Sequence, residues 1–311
     1  MAIGYVCFMV PPKLQPGDRV RYVSPASPPD RKHIEENAEL LESYGLVVEF
    51  GKHAFDRNGY FAGTDDDRAA DMNDALRDPG VKAIMATRGG KGAYRIADRL
   101  DVASARKNPK LLIGFSEITI LHLALYKHCS LAGVHAGSWN ASFSHESVDS
   151  LYRALCTDDS ITVQANQEEP SSSLTTEGAA TGVLIGGNQD MIATAAGWAL
   201  PSFDGAILLL EASNLRLGQI DRQLTMLMNA GHLKGVRGVA VGQYTGCGSD
   251  AANQGDWTAI DVLRDRLGRL NVPMVGGLPI GHGEDPIAIP VGTMATLDAR
   301  SGTLTVAPAV G

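Results

Sequence analysis

A serine at position 116 stands where a nucleophile could act. Ser116 follows the apolar run Leu111–Phe115, which predicts a strand, and it precedes a stretch with helical spacing. A serine on a tight strand-to-helix turn exposes its hydroxyl, and backbone N–H groups at the helix start can hold an oxyanion. Gly114 allows a close backbone approach, but the second glycine of the G-x-S-x-G pattern is absent. Simple capping of the helix by Ser116 is the alternative.

A glutamate and a histidine later in the chain could complete this chemistry. Glu211 follows the apolar run Ala206–Leu210, and parallel sheets gather functional side chains at the carboxyl ends of their strands. His282 lies between Gly281 and Gly283 on a predicted loop, which suits a general base. A surface carboxylate at a strand end and a solvent-facing histidine are the alternatives. Nucleophile, base and orienting acid are thus available, although their order along the chain is not specific.

Other polar residues are weaker candidates for a site. His122 and His128 fall in the helix predicted after the serine, where packing or surface roles are expected, while His135 could line the same pocket.

Asp65-Asp66-Asp67 lacks metal-ligand spacing and predicts a helix start, so no metal site is expected. The glycine-rich turn over residues 88–92 lacks the Lys-Ser/Thr ending of a phosphate-binding P-loop and indicates a loop of backbone donors.

Strand and helix patterns alternate in the first half of the chain and indicate a helix-covered parallel sheet, hence an α/β fold. The predicted strands are Arg19–Val23, Leu46–Phe50, Val81–Ala86 and Leu111–Phe115, and the predicted helices cover about 34–44, 65–76 and 116–128.

The second half repeats this alternation after a change in composition. Strands are predicted at 206–210, 238–242 and 294–297, and helices at 190–197, 219–230 and 258–267. The stretch 164–177 is rich in Gln, Glu, Ser and Thr and has no apolar period, which is typical of a linker. We therefore predict an N-terminal domain over 1–157, a linker over 158–182 and a C-terminal domain over 183–311.

Composition excludes several classes of protein. The 311-residue chain has a formal net charge of −8 and no basic cluster, which disfavours a nucleic-acid partner. Its four cysteines show no C-x-x-C spacing, as expected of reduced thiols in a cytoplasmic protein. The apolar run near the N-terminus is too short to span a bilayer and lacks the features of a signal peptide, so no membrane association is expected.

As an ordered set, the motifs of this chain resemble those of the LD-carboxypeptidases, or muramoyltetrapeptide carboxypeptidases, a serine peptidase family that includes the microcin C immunity hydrolases. The resemblance extends from about residue 14 to 306. It rests on Leu14-Gln15-Pro16-Gly17-Asp18, Phe61-Ala62-Gly63-Thr64-Asp65 with Arg68, Arg88-Gly89-Gly90, Gly114-Phe115-Ser116 with Thr119, Gly186-Gly187-Asn188, Leu210-Glu211, Ile220-Asp221-Arg222 with Leu224, and Gly281-His282-Gly283 with Pro290 and Gly292.

The resemblance implies a reaction and a site. Ser116, Glu211 and His282 match the family's catalytic triad, with the serine on a flavodoxin-like N-terminal α/β domain, the other two on a C-terminal α/β domain, and the site between them. The implied reaction releases the terminal D-alanine of muropeptide tetrapeptides in peptidoglycan recycling, without a cofactor, in a cytoplasmic homodimer. Within that mechanism we expect the N–H groups of Gly90 and Glu117 to form the oxyanion hole and Arg88 to bind the substrate carboxylate. A salt bridge that supports the glycine turn is the alternative for Arg88.

Several positions depart from the family pattern and leave the substrate open. Glu117 stands where the family usually has Asp, Lys91 where an aromatic often follows Arg-Gly-Gly, and His135-Ala136-Gly137 replaces the common His-Gly-Pro. The tyrosine often found near Gly218 is absent. The nearest alternative is a microcin-immunity-type hydrolase of aminoacyl-nucleotide conjugates. The short segment after Glu211 lacks the aromatic platform that such a site should offer. A non-catalytic peptide-binding protein is a further alternative.

Overall fold

The computed structural model describes residues 8–137, 139, 142–248 and 256–311. Thirteen strands are found in this part of the chain: β1 (Arg19–Val23), β2 (Val47–Phe50), β3 (Val81–Ala86), β4 (Leu111–Gly114), β5 (Gly133–His135), β6 (Ile161–Gln164), β7 (Ala179–Asn188), β8 (Ile207–Ser213), β9 (Gly238–Thr245), β10 (Met274–Val275), β11 (Ile289–Val291), β12 (Met294–Asp298) and β13 (Thr303–Val306). Eight α-helices accompany them: α1 (Arg31–Ser43), α2 (Asp65–Arg77), α3 (Val102–Lys107), α4 (Thr119–Cys129), α5 (His145–Cys156), α6 (Gln189–Ala195), α7 (Leu217–Asn229) and α8 (Ala259–Leu267).

The first sheet has the strand order β11-β5-β4-β3-β1-β2. Strands β1 to β5 are all parallel, and their order is that of flavodoxin-like proteins. The predicted N-terminal fold is therefore confirmed. Strand β11 comes from the far end of the chain and pairs antiparallel with β5, which joins the C-terminal part to this sheet.

The second sheet has the order β10-β9-β8-β7-β12-β13-β6. Its β7 to β10 part is parallel, and β12, β13 and β6 extend it in antiparallel fashion. This mixed sheet confirms the second α/β unit of the predicted fold. Strand β8 continues to Ser213, so Glu211 lies within the strand and not beyond its end as predicted.

The stretch predicted as a linker carries regular structure. Residues 161–164 alternate buried and exposed positions and form β6, which pairs with β13. A 3-10 helix follows at Pro170–Leu174, and β7 begins at Ala179. The composition of the stretch did not indicate this structure, because a four-residue strand at a sheet edge gives too short an apolar pattern to be recognised. The linker over 158–182 and the domain limits at 157 and 183 stay predictions.

Helix α4 joins the two sheets. Eight of its eleven residues are buried, which is far more than in a helix with one side exposed to solvent. Such a helix is enclosed by the rest of the protein over most of its surface. Ile120 and Leu121 belong to the same apolar cluster as Ile192 and Leu208 from the second half of the chain. The start of α4, immediately after Ser116, therefore lies at the junction of the sheets. No helix in the described residues is long and apolar enough to cross a lipid bilayer.

Candidate active site

Ser116 occupies a strained turn between β4 and α4. Its φ is 58°, in the left-handed region that side-chain-bearing residues rarely adopt. A 3-10 turn over Ser116–Ile118 precedes α4, and neither segment is capped by a side-chain hydrogen bond. Ser116 therefore does not cap the helix. The strained strand-to-helix turn is instead the backbone arrangement found at nucleophile elbows.

The glycine-rich turn after β3 packs directly on this serine. A Cβ atom added to Gly89 would lie 2.9 Å from the Ser116 Cβ and 3.2 Å from the Glu117 nitrogen. The buried Glu117 side chain accepts hydrogen bonds from the N–H groups of Gly92, at 2.8 Å, and Ala93, at 3.2 Å. Burial raises the pKa of Glu117, and the Gly92 N–H opposes that rise. The side chain that departs from the family pattern thus anchors the glycine turn.

The two N–H groups predicted to hold the oxyanion are available. In the described part of the chain, the backbone N–H groups of Gly90 and Glu117 donate no hydrogen bond. Gly90 has φ 110°, and an added Cβ atom would lie 2.4 Å from the Ser27 hydroxyl. Because only glycine fits this conformation and this space, the turn can keep its N–H groups close to Ser116.

Glu211 and His282 form a tight pair. Nδ1 of His282 lies 2.7 Å from Oε2 of Glu211, whose side chain has no exposed surface, whereas the histidine side chain is 20% exposed. Gly281, with φ 129°, permits this approach, because an added Cβ atom would lie 3.0 Å from Oε2. Gln243, near the end of β9, accepts the N–H of Gly283 at 2.8 Å and fixes the loop. An imidazole held in this way keeps one nitrogen for proton transfer.

The histidine loop meets the serine turn across the two sheets. The ring of Phe115, the residue before Ser116, lies 4.7 Å from the His282 ring, centroid to centroid. Both rings line a cavity of about 360 Å³ together with Arg88, Trp139 and other residues. Arg88 is exposed and has no carboxylate partner among the described residues. Within the described residues, the supporting salt bridge considered for Arg88 is therefore not formed.

Of the other histidines, His135 alone reaches this pair in the described part of the chain. It is 1% exposed at the end of β5, and its Nε2 atom lies 3.9 Å from Oε1 of Glu211. Burial lowers its pKa to about 4, although the nearby Glu211 opposes this shift. His122 is buried in α4 with a pKa lowered to about 3 by burial, then by His135. His128 is exposed at the end of the same helix, as expected.

The acidic run at the start of α2 serves the helix. Asp67 forms a capping box with Thr64, which confirms that this run marks a helix start. His53, Asp56 and Asp67 bring potential metal-ligand atoms within 4.8 Å of one another, but Nδ1 of His53 is already hydrogen-bonded to Asp56 at 2.7 Å. These side chains have protein partners and lie apart from Glu211 and His282.

Comparison with known proteins assigns the family. The model of the LD-carboxypeptidase N-terminal domain matches residues 20–136, and that of the LD-carboxypeptidase C-terminal domain matches residues 181–297. A putative carboxypeptidase of Streptomyces coelicolor is 35% identical over 304 residues, covering 95% of each chain. A probable murein peptide carboxypeptidase of Bacillus subtilis is 32% identical over 296 residues, covering 94% of this chain and 92% of the relative. The chain belongs to the LD-carboxypeptidase family. This confirms the predicted family. It also confirms the general class predicted for the chain, a carboxypeptidase-type hydrolase that acts on peptides.

The same fold occurs in a microcin self-immunity protein. The microcin C7 self-immunity protein MccF, in its wild-type apo state, aligns with a TM-score of 0.85 and 20% identity, covering 97% of this chain and all of that one. At this identity the likeness shows the fold alone. It confirms that the two-sheet architecture of this LD-carboxypeptidase family member is shared with the immunity proteins.

Two features of the site go beyond the predicted residues. Gln243 follows a buried strand segment just as Glu211 does, and that shared position is the signal by which the sequence could have indicated it. The aromatic wall formed by Trp139 and Phe143, with ring centroids 6.0 Å apart, gave no signal because neither residue belongs to a periodic pattern. Both features matter for where a substrate can lie.

Proposed function

We propose that this LD-carboxypeptidase family member is a serine peptidase that uses Ser116 as nucleophile, His282 as general base and Glu211 as the orienting acid. The observation that carries the proposal is the 2.7 Å contact between Nδ1 of His282 and Oε2 of the fully buried Glu211. A buried carboxylate beside an imidazole selects one tautomer and stabilises the imidazolium formed during proton transfer. The strained Ser116 turn, next to Phe115 whose ring contacts the His282 ring, supports the choice of nucleophile.

The reaction follows from these roles. His282 accepts the Ser116 proton as the serine oxygen attacks the scissile carbonyl, and it then returns that proton to the departing amine. The N–H groups of Gly90 and Glu117 bind the oxyanion, for which a donor on a rigid turn is worth about 100-fold or more in rate. Water then cleaves the acyl-enzyme with the same base. These groups supply every proton transfer, so the reaction needs no cofactor.

The positions of the charged groups suggest how the substrate lies. Arg88 lines the 360 Å³ cavity beside His282 and has no carboxylate partner in the described residues, so its guanidinium can bind a terminal carboxylate. We place the terminal D-alanine in this cavity. A second cavity of about 1130 Å³ shares Gly283 with the first and provides room for the remaining muropeptide.

The substrate we propose is a muropeptide tetrapeptide, cleaved at the L,D-peptide bond before its terminal D-alanine. The name of the Bacillus subtilis relative, a murein peptide carboxypeptidase, supports this class of substrate. We further propose that the protein acts in the cytoplasm as a homodimer during peptidoglycan recycling. The net charge of −8 argues against nucleic acid as a partner.

A second candidate is hydrolysis of aminoacyl-nucleotide conjugates by the same three residues. The aromatic wall of Trp139 and Phe143, in the cavity that Phe115 and His282 also line, favours it, because a base could stack there. A comparison of kcat/KM for a diaminopimelate tetrapeptide and a glutamyl-nucleotide conjugate separates the two. Preference for the tetrapeptide supports the peptidase. A preference of about 100-fold or more for the conjugate, which is about 2.7 kcal/mol, would replace it by the second candidate.

A further inference from the structure

The second oxygen of the Glu211 carboxylate is buried without a hydrogen bond. Oε2 accepts from His282, but Oε1 has no partner among the described residues. Both ring nitrogens of His135 are likewise buried without a partner, and Nε2 of that ring lies 3.9 Å from Oε1. Unpaired buried polar atoms are rare in native proteins and call for an explanation. The two unpaired groups here face each other.

We propose that His135 is a positioning residue that donates its Nε2–H to Oε1 of Glu211, so that the carboxylate is held between two imidazoles. The inference rests on the proposed function, since it assigns a role to His135 only through the Glu211–His282 pair. A carboxylate fixed at one oxygen can rotate about its own axis. A second donor stops that rotation and fixes the direction of the lone pair that faces His282.

The surroundings of His135 are built for this contact. Glycine at position 187, with φ 129°, leaves the ring its space, because an added Cβ atom would lie 3.0 Å from Cε1 and Nδ1. Gly187 pairs with Leu210 in the sheet, and the next pair along the same strands is Asn188 with Glu211. The Gly186-Gly187-Asn188 motif therefore lets a histidine of the first sheet approach the carboxylate of the second.

The charge state of His135 is set by three titratable neighbours on different elements. Glu211 on β8 favours the protonated ring, whereas His282 on its loop and the burial of the ring disfavour it. His122 on α4 is the third neighbour. Phe115, whose ring contacts His135, and Ile289, which pairs with it in the sheet, carry no charge. Burial dominates and lowers the pKa of His135 to about 4, so the ring is neutral at neutral pH and has one N–H to donate.

The experiment begins with the wild-type protein and needs no substrate. Nitrogen-15 NMR of histidine-labelled protein distinguishes the two neutral tautomers of each ring. We expect His135 to be neutral with the proton on Nε2 at pH 6 to 7. A proton on Nδ1, or a charged ring in this range, would overturn the proposal, whether or not the peptidase assignment is right.

Kinetics of two variants supply the second arm. His135→Phe keeps the ring volume but removes the donor, and we expect kcat to fall about 10–100-fold with KM changed less than about threefold. The acid limb of the pH profile of kcat/KM should move to higher pH in His135→Phe. Without the His135 donor, the negative charge of Glu211 is less neutralised, and it favours the protonated form of His282 more strongly. His135→Gln, which restores an N–H near the same place, should recover most of both effects.

A merely structural role for His135 would give a different pattern. Both variants would then lower the melting temperature while leaving the pH profile in place, and Gln would rescue no better than Phe. Either result would overturn the positioning role. His128→Phe, at an exposed histidine of α4, is the matched control and should leave kcat and the pH profile unchanged. Should His135→Phe fail to fold, the NMR arm still decides.

Discussion

Replacement of Glu211 by glutamine tests the contact on which the mechanism depends. The carboxylate has no exposed surface and lies 2.7 Å from Nδ1 of His282, so the amide can take its place with little change of volume. An amide nitrogen in that position donates to Nδ1, which leaves the proton on the other ring nitrogen and disables the base. Loss of the orienting carboxylate in a serine–histidine–acid triad lowers kcat by about 10⁴. That factor corresponds to about 5.4 kcal/mol.

The assay is D-alanine release at saturating tetrapeptide, measured with a D-amino acid oxidase coupling system. For Glu211→Gln we expect kcat to fall about 10⁴-fold, KM to change by less than about threefold, and the melting temperature to stay within a few degrees of wild type. Glu168→Gln, at an exposed glutamate, is the matched control and should keep full activity. A folded Glu211→Gln protein that loses less than tenfold would refute the role given to this carboxylate.

Three further predictions follow from the same structure. Gly89→Ala should lower kcat about 100-fold or more, because its Cβ atom would lie 2.9 Å from the Cβ of Ser116 and displace the serine from its oxyanion donors. Thr119→Ala should lower the free energy of unfolding by about 1–3 kcal/mol in urea titrations, since it leaves the Asn188 N–H, now 3.0 Å from the threonine hydroxyl, buried and unpaired. The free energy of unfolding should also fall as the pH drops from about 6.5 toward 4. In the unfolded chain, histidines bind protons in that range. In the folded protein the buried His122 and His135 do not, because their pKa values are about 3 and about 4.

Each of these predictions has its own control. Gly218→Ala places a Cβ atom in open space near the start of α7 and should preserve activity. Thr119→Ser keeps the hydroxyl and should recover most of the lost stability. For the pH dependence, His122→Leu should reduce the slope by up to about 1.4 kcal/mol per pH unit. Equal loss in Gly218→Ala, no rescue by serine, or an unchanged slope would each contradict the corresponding argument.

The sequence was sufficient for the strands that carry the site because they are short, apolar and bounded by turn residues. Val81–Ala86 forms as predicted, and Leu111–Gly114 ends one residue earlier than predicted. Ser116 was located by its position after such a strand. Its left-handed backbone could not be foreseen, since a serine before a helix more often caps it.

Other features depend on contacts between distant parts of the chain. The pairing of Ile289–Val291 with β5, across more than 150 residues, leaves no local signal. The ring of His135 packs against Gly187 of the other sheet, so its place beside Glu211 could not be read from its own neighbours in the chain. The stretch 161–164 is an edge strand whose two buried residues are too few to outweigh the polar composition around them.

The most direct test of the proposed peptidase is mass spectrometry of a diaminopimelate tetrapeptide with an isotope-labelled terminal D-alanine, incubated with wild type and with Ser116→Ala. We predict that wild type releases the labelled D-alanine and leaves the tripeptide, and that a tetrapeptide ending in L-alanine stays intact. Ser116→Ala should retain at most a small residue of activity, about 10³–10⁴-fold over water. Undiminished release by Ser116→Ala, or no release by folded wild type, would contradict the central claim.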